Sequence, residues 1–136
     1  MKELTLEATL DNLSEVLGFV DSFLEENYCS AKAQMQIDVA VEEIFVNIAS
    51  YAYAPKTGNA TIKLDRVEHS PIVTIILEDE GVPYDPLAKA DPDITLSAEE
   101  RPIGGLGIFM VKKSMDEVTY RYEDRKNILT LKKRFQ

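Results

Sequence analysis

The order in which the hydrophobic period changes along the chain limits the fold more than any other feature. Leu4, Leu6 and Ala8 alternate with polar residues, which predicts a half-buried strand over Glu3–Ala8. From Leu13 the spacing becomes helical: Val16, Leu17, Val20 and Leu24 recur through about Tyr28, with Asp11 standing where an N-cap belongs. Ser30 can cap a second helix whose apolar stripe is Ile37, Val41, Ile44, Ile48 and Ala52, with Phe45 beside it; Pro55 and Gly58 end it. Two strands follow, Ala60–Val67 and Ile72–Glu78, around a turn at Glu68–Pro71. Asp79 to about Gly105 shows neither period. Leu106–Met115 reads as a short helix, and Val118–Glu123 and Ile128–Phe135 as a closing hairpin around Asp124–Asn127. Strands in runs with segregated helices predict an α+β two-layer sandwich, a mostly antiparallel sheet covered on one face by helices, rather than a doubly wound parallel sheet. At 136 residues one domain, 1–136, is expected.

Composition narrows the function classes. The net charge of −9 and the lack of a basic face argue against a nucleic-acid partner; the short run Lys132, Lys133 and Arg134 reads as a solvated strand end. Cys29 is the only cysteine, so no internal disulfide can form. The first residues lack the apolar core of a signal peptide, and no run reaches the ~18 apolar residues of a membrane span, so no membrane association and a cytoplasmic address are expected.

Three local constellations suggest chemistry. On the second predicted helix Glu43 and Asn47 share one narrow sector at the flank of the apolar stripe, and Tyr51 continues the line; Glu42 points elsewhere. A carboxylate there can orient a hydroxyl or accept its proton, and the carboxamide oxygen suits a hard cation such as Mg²⁺. Taken alone, the two read first as a surface pair on an amphipathic helix. Straight after an apolar strand comes Asp79-Glu80-Gly81-Val82-Pro83. It is either an ordinary turn or an acid placed to accept from an exocyclic amino group, with a glycine allowing close approach. The third is Gly104-Gly105-Leu106-Gly107-Ile108, opening a helix. It is either a flexible entry or an anion grip of backbone N–H groups, and it is neither a Walker A motif nor a GxGxxG fingerprint.

Taken in order, acid and Asn on a helix, Asp-x-Gly after a strand, and a glycine loop onto a helix resemble the N, G1 and G2 boxes of the GHKL superfamily. Within it the chain resembles the bacterial anti-sigma factor serine/threonine kinases of the RsbW and SpoIIAB type. The resemblance runs over essentially the whole length, through Val41–Tyr53, Glu78–Pro86, Gly104–Tyr120 and Asn127–Leu131. It implies the Bergerat fold, with ATP and Mg²⁺ as ligands. Glu43 would be the general base, Asn47 the magnesium ligand, and Asp79 the acceptor of the adenine amino group with Gly81 below the ring. Pro83 belongs to the same box. Gly104, Gly105, Leu106, Gly107 and Ile108 would close on the phosphates. Thr130 would supply a hydroxyl supporting adenine recognition, and residues from about 86 to 103 would form a lid. A histidine often stands four places after the Asn in this family; here it is Tyr51. Arg101 and Lys112 are the alternatives for a cation assisting transfer.

The resemblance implies a protein kinase that phosphorylates a STAS-domain anti-anti-sigma protein and sequesters a regulatory target such as a sigma factor, with homodimerisation by analogy. The alternative is a non-catalytic binding module that docks a partner according to its nucleotide state. The sole histidine, His69, falls in the hairpin turn, so a phospho-histidine mechanism is not expected.

Overall fold

The computed structural model describes residues 1–88 and 106–135. Strands β1 (Lys2–Glu7), β2 (Asn59–Asp65), β3 (Ile72–Asp79), β4 (Glu117–Glu123) and β5 (Lys126–Arg134) form one sheet in the order β1-β2-β3-β5-β4. Every neighbouring pair is antiparallel. Helices α1 (Leu13–Glu26), α2 (Ala31–Asn47) and α3 (Leu106–Ser114) cover one face, which is the α+β two-layer sandwich expected.

Strand parity decides what faces the helices. Ala60, Ile62 and Leu64, then Val73, Ile75 and Leu77, then Leu129 and Leu131 are buried in one core with Val16, Val20 and Leu24 of α1 and Ile37, Val41, Ile44 and Phe45 of α2. Ile108, Val111 and Met115 close it from the α3 side. The other face of the sheet is polar. Thr5 and Thr61 share a hydrogen bond of 2.9 Å, and Lys63 pairs with Glu78 at 3.0 Å. An antiparallel sheet with one wet face has this character.

The Ser30 cap forms as expected, its hydroxyl accepting from Ala33 N at 3.2 Å. Asp11 does not cap α1. Residues Leu10–Asn12 form a tight 3-10 turn that holds Asp11 inside it, and Asn12, the residue before α1, donates its side-chain amide back to Glu7 O. The second helix does not run on as one α-helix to the proline. It gives way after Asn47 to a wider π-helical turn, Ile48–Ala52. The last hairpin turn is also shorter than the sequence suggests. Asp124 and Arg125 both take positive φ, 53° and 64°, the two-residue turn whose twist matches antiparallel strands. Lys126 and Asn127 therefore belong to β5, and Asn127 pairs with Asp79 across the sheet.

Candidate functional site

A cavity of about 650 Å³ lies between α2, the start of α3 and the ends of β3, β4 and β5. That is the size range of small-molecule sites. Its walls are largely apolar, including Ile44, Ile48, Leu77, Ile108 and Leu129, and its described charged lining residues are two carboxylates, Glu43 and Asp79. Both come from the constellations marked in the sequence.

Helix α2 and its π-helical extension form one long wall. Glu43, Asn47 and Tyr51 line it, spaced by four residues, while Glu42 is exposed away from it. Asn47 Nδ2 approaches Glu43 Oε1 at 3.4 Å, a long contact that leaves the carboxamide oxygen for the cavity. Tyr51 is 73% exposed at the rim. The π-helical turn delivers Ala52 to the far end of the cavity, where Val82 N donates to Ala52 O at 3.0 Å.

Asp79 sits at that far end, at the last position of β3, and is 7% exposed. Its Oδ1 accepts from Gly81 N at 2.9 Å and from Asn127 Nδ2 at 2.9 Å. Burial raises its pKa, and the hydrogen bonds from Asn127 and Gly81 work against that rise. Gly81 itself is not in the lining. A Cβ there would lie 2.2 Å from Ala52 O, so the glycine is needed to let the chain pass behind the cavity, against the π-helical turn rather than against a ligand. Pro83 and Tyr84 complete this end.

At the opposite end Gly107, in the first turn of α3, abuts the Glu43 carboxylate: a Cβ would lie 2.0 Å from Glu43 Oε1. Gly107 and Ile108 line the cavity. Leu106 opens α3. Gly104 and Gly105, most of the segment expected as a lid, and Arg101 lie outside the described residues; of the lid, Pro86–Ala88 is a short 3-10 turn and Pro86 lines the cavity. Lys112 is on α3, half-buried.

Thr130 stands on the wrong face. It opposes Ile76 on β3 and Thr119 on β4, out of phase with Leu129 and Leu131, whose side chains face the helices. Strand parity therefore turns the Thr130 hydroxyl to the polar side of the sheet. The polar residue of β5 that reaches the cavity is Asn127, 7% exposed, which sequence reasoning assigned to a turn. The signal lay in the parity of Leu129, Leu131 and Phe135, blurred by Ile128 just before them. Tyr84 and Tyr120 were also missed; both line the cavity beside Asn127. Burial raises the Tyr120 phenol's pKa, with the Tyr84 backbone N–H opposing it.

The donor set fits a hard divalent ion accompanying an anionic ligand. Asn47 offers a neutral oxygen and Glu43 a carboxylate at the same end, and no cage of three or more carboxylate, His or Cys groups exists among the described residues. Mg²⁺ usually takes only one or two protein oxygens and leaves the rest to water and phosphate. No helix among the described residues is long and apolar enough to cross a membrane.

Comparison with known proteins gives relatives and a family for the chain as a whole. The chain is 26% identical over 131 residues to the serine/threonine-protein kinase BtrW of Bordetella bronchiseptica, covering 94% of this chain and 89% of that protein. It is 24% identical to the serine-protein kinase RsbW of Bacillus cereus, covering 93% of this chain and 74% of the relative. A crystal structure of the RsbU and RsbW domains of a Mycobacterium tuberculosis protein superposes with a TM-score of 0.64 at 16% identity, over 98% of this chain and 32% of that one, which shows a shared fold. The family profile described as "Histidine kinase-like ATPase domain" matches residues 6–133, and the chain belongs to that family.

Proposed function

We propose that the protein is a serine/threonine protein kinase that binds Mg-ATP and transfers the γ-phosphoryl group to a STAS-domain anti-anti-sigma protein. It also sequesters a regulatory target such as a sigma factor, and acts in the cytoplasm as a homodimer. The observation that carries the nucleotide part is the linear order of groups along α2. Ala52, beside the Asp79 end, and Glu43, beside Gly107, are nine residues apart, on the order of 13 Å at helical rise. An extended nucleoside triphosphate spans such a distance; a base or nucleoside alone does not. The base would lie among Ile48, Leu77 and Leu129 with its amino group on Asp79, and the phosphates would run past Asn47 towards the α3 N-terminus, whose dipole favours anions.

Because both described charged lining residues are acids, a triphosphate needs an accompanying cation to enter. Asn47 Oδ1 is the oxygen that would hold Mg²⁺, which when bound neutralises phosphate charge. Glu43 would orient the incoming Ser or Thr hydroxyl and take up its proton. Phosphoryl transfer asks for little more from a protein than such positioning. The kinase reading is supported by the two relatives named as protein kinases, and the STAS and sigma partners by the resemblance of the motif series to anti-sigma factor kinases.

The test is incubation with γ-labelled ATP, Mg²⁺ and a STAS-domain protein from the same organism. Label on a Ser or Thr of that protein is the expected result. Nucleotide binding without transfer would instead make this a nucleotide-dependent docking module.

A further inference from the structure

Asp79 does not present itself to the cavity unaided. Its Oδ1 receives two donors, Gly81 N and Asn127 Nδ2, each at 2.9 Å. Its Oδ2 has no hydrogen-bond partner among the described residues. Asn127 supplies one of the two bonds that hold the carboxylate by a single oxygen and leave the other open. Its amide nitrogen also donates to Val82 O at 3.0 Å, with a longer contact to Gly81 O at 3.4 Å. Its oxygen accepts from Tyr84 N at 3.1 Å and from the Tyr120 hydroxyl. A carboxamide has two donors and two acceptor lone pairs, and all four are engaged. The amide therefore cannot flip without breaking bonds to three separate segments, the β3 end, the 81–84 loop and β4.

We infer that Asn127 is a positioning residue that makes the cavity selective for a purine bearing a 6-amino group. With Gly81 N it saturates one oxygen of Asp79, a residue that lines the cavity, and leaves the other, an acceptor only, without a hydrogen-bond partner among the described residues. This rests on the nucleotide reading above. An ionised carboxylate oxygen accepts from a 6-amino group but repels a 6-oxo group, so an oriented Asp79 discriminates between the two. The same amide anchors Val82 and Tyr84, so the chain leading away from β3 is held in register with the recognition group. The hydrogen bond from Asn127 also favours the ionised form of Asp79, against the effect of burial.

The experiment compares the affinities of ATP and of purine riboside triphosphate, which lacks only the 6-amino group, in wild type, Asn127→Leu and Tyr120→Phe. The wild type should prefer ATP by about tenfold or more, the worth of one hydrogen bond to a charged acceptor. Asn127→Leu should lose about tenfold more for ATP than for purine riboside triphosphate, since the amino contact depends on Asp79's orientation while any shift of the Val82 and Tyr84 wall acts on both nucleotides. Tyr120→Phe keeps the ring, removes one of the two donors to Asn127 Oδ1, and should lose about threefold for ATP alone. A thermal melt reports whether each variant folds; if Asn127→Leu does not, Tyr120→Phe decides. Equal losses for both nucleotides, or an undiminished preference for ATP, would overturn the positioning role while leaving nucleotide binding intact. A wild type indifferent to the 6-amino group would instead remove Asp79 as the adenine acceptor.

Discussion

Replacing Gly107 by alanine separates catalysis from folding more cleanly than any change to the carboxylate itself. The added Cβ would lie 2.0 Å from Glu43 Oε1, 2.2 Å from its Cδ and 2.7 Å from Oε2. An unstrained contact needs about 3.5 Å, so the carboxylate must retreat by about 1.5 Å. Glu43 is a long side chain on a helix surface facing a cavity, so it can yield by rotating about its own bonds. The backbone need not move, and alanine is favoured over glycine in a helix by about 0.5–1 kcal/mol. These effects oppose one another, leaving stability within about 1 kcal/mol of wild type. For Glu43 in its proposed role as base, a displacement of more than an ångström is another matter, because misplacement on that scale costs on the order of 100-fold in rate. Transfer to the STAS protein under saturating Mg-ATP should therefore fall about 100-fold in Gly107→Ala, with nucleotide affinity changed by no more than about threefold. Chemical denaturation gives the stability, and a labelled-phosphate assay the rate. A wild-type rate would refute the argument that Gly107 exists to admit the Glu43 carboxylate. So would a loss of stability large enough to account for the lost activity.

Glu43→Ala should retain Mg-ATP affinity and abolish transfer; unchanged transfer would remove it as the base. Mg-ATP at 100 times its dissociation constant should stabilise the protein by about 2.7 kcal/mol, and a melting temperature that does not respond to millimolar Mg-ATP would end the nucleotide reading. The third concerns Asp38, half-buried on α2 with one side-chain oxygen lacking a hydrogen-bond partner among the described residues. Burial first, then Asp21 and Glu25 of α1, push its pKa up to about 7 from 3.8. The folded state thus holds a proton that the unfolded state releases, so this group's contribution is neutral below about pH 4, turns unfavourable as pH rises, and is fully so above 7. The shift alone corresponds to about 4 kcal/mol, of which solvent screening of a partly exposed group leaves about 1 kcal/mol. Asp38→Asn should be stabilised by about that much in urea at pH 8 and by nothing at pH 4; an equal gain at both would show that packing, not charge, is responsible.

Local periodicity was enough to determine the element order, the layer architecture and the shared face of Glu43, Asn47 and Tyr51. In each case the information is angular: the turn per residue fixes which side chains lie together, whatever packs against them. Asp79 was legible for a similar reason, since it ends an apolar strand. Asn127 was not, and the family resemblance pointed to Thr130 instead. On a strand, parity separates two faces, and Ile128 made both parities of Asn127–Leu131 look apolar. Which face meets the helices was decided only when β5 inserted between β3 and β4 with Asn127 opposite Asp79. Gly81 and Gly107 differ from the sequence reading in the same way. One lies against Ala52 and the other against Glu43, contacts between segments distant in sequence that no local pattern encodes. The sequence by itself determined which groups the cavity could use. Tertiary packing decided which of them touch, because contact across elements depends on register and layer, and these are set by the whole core at once.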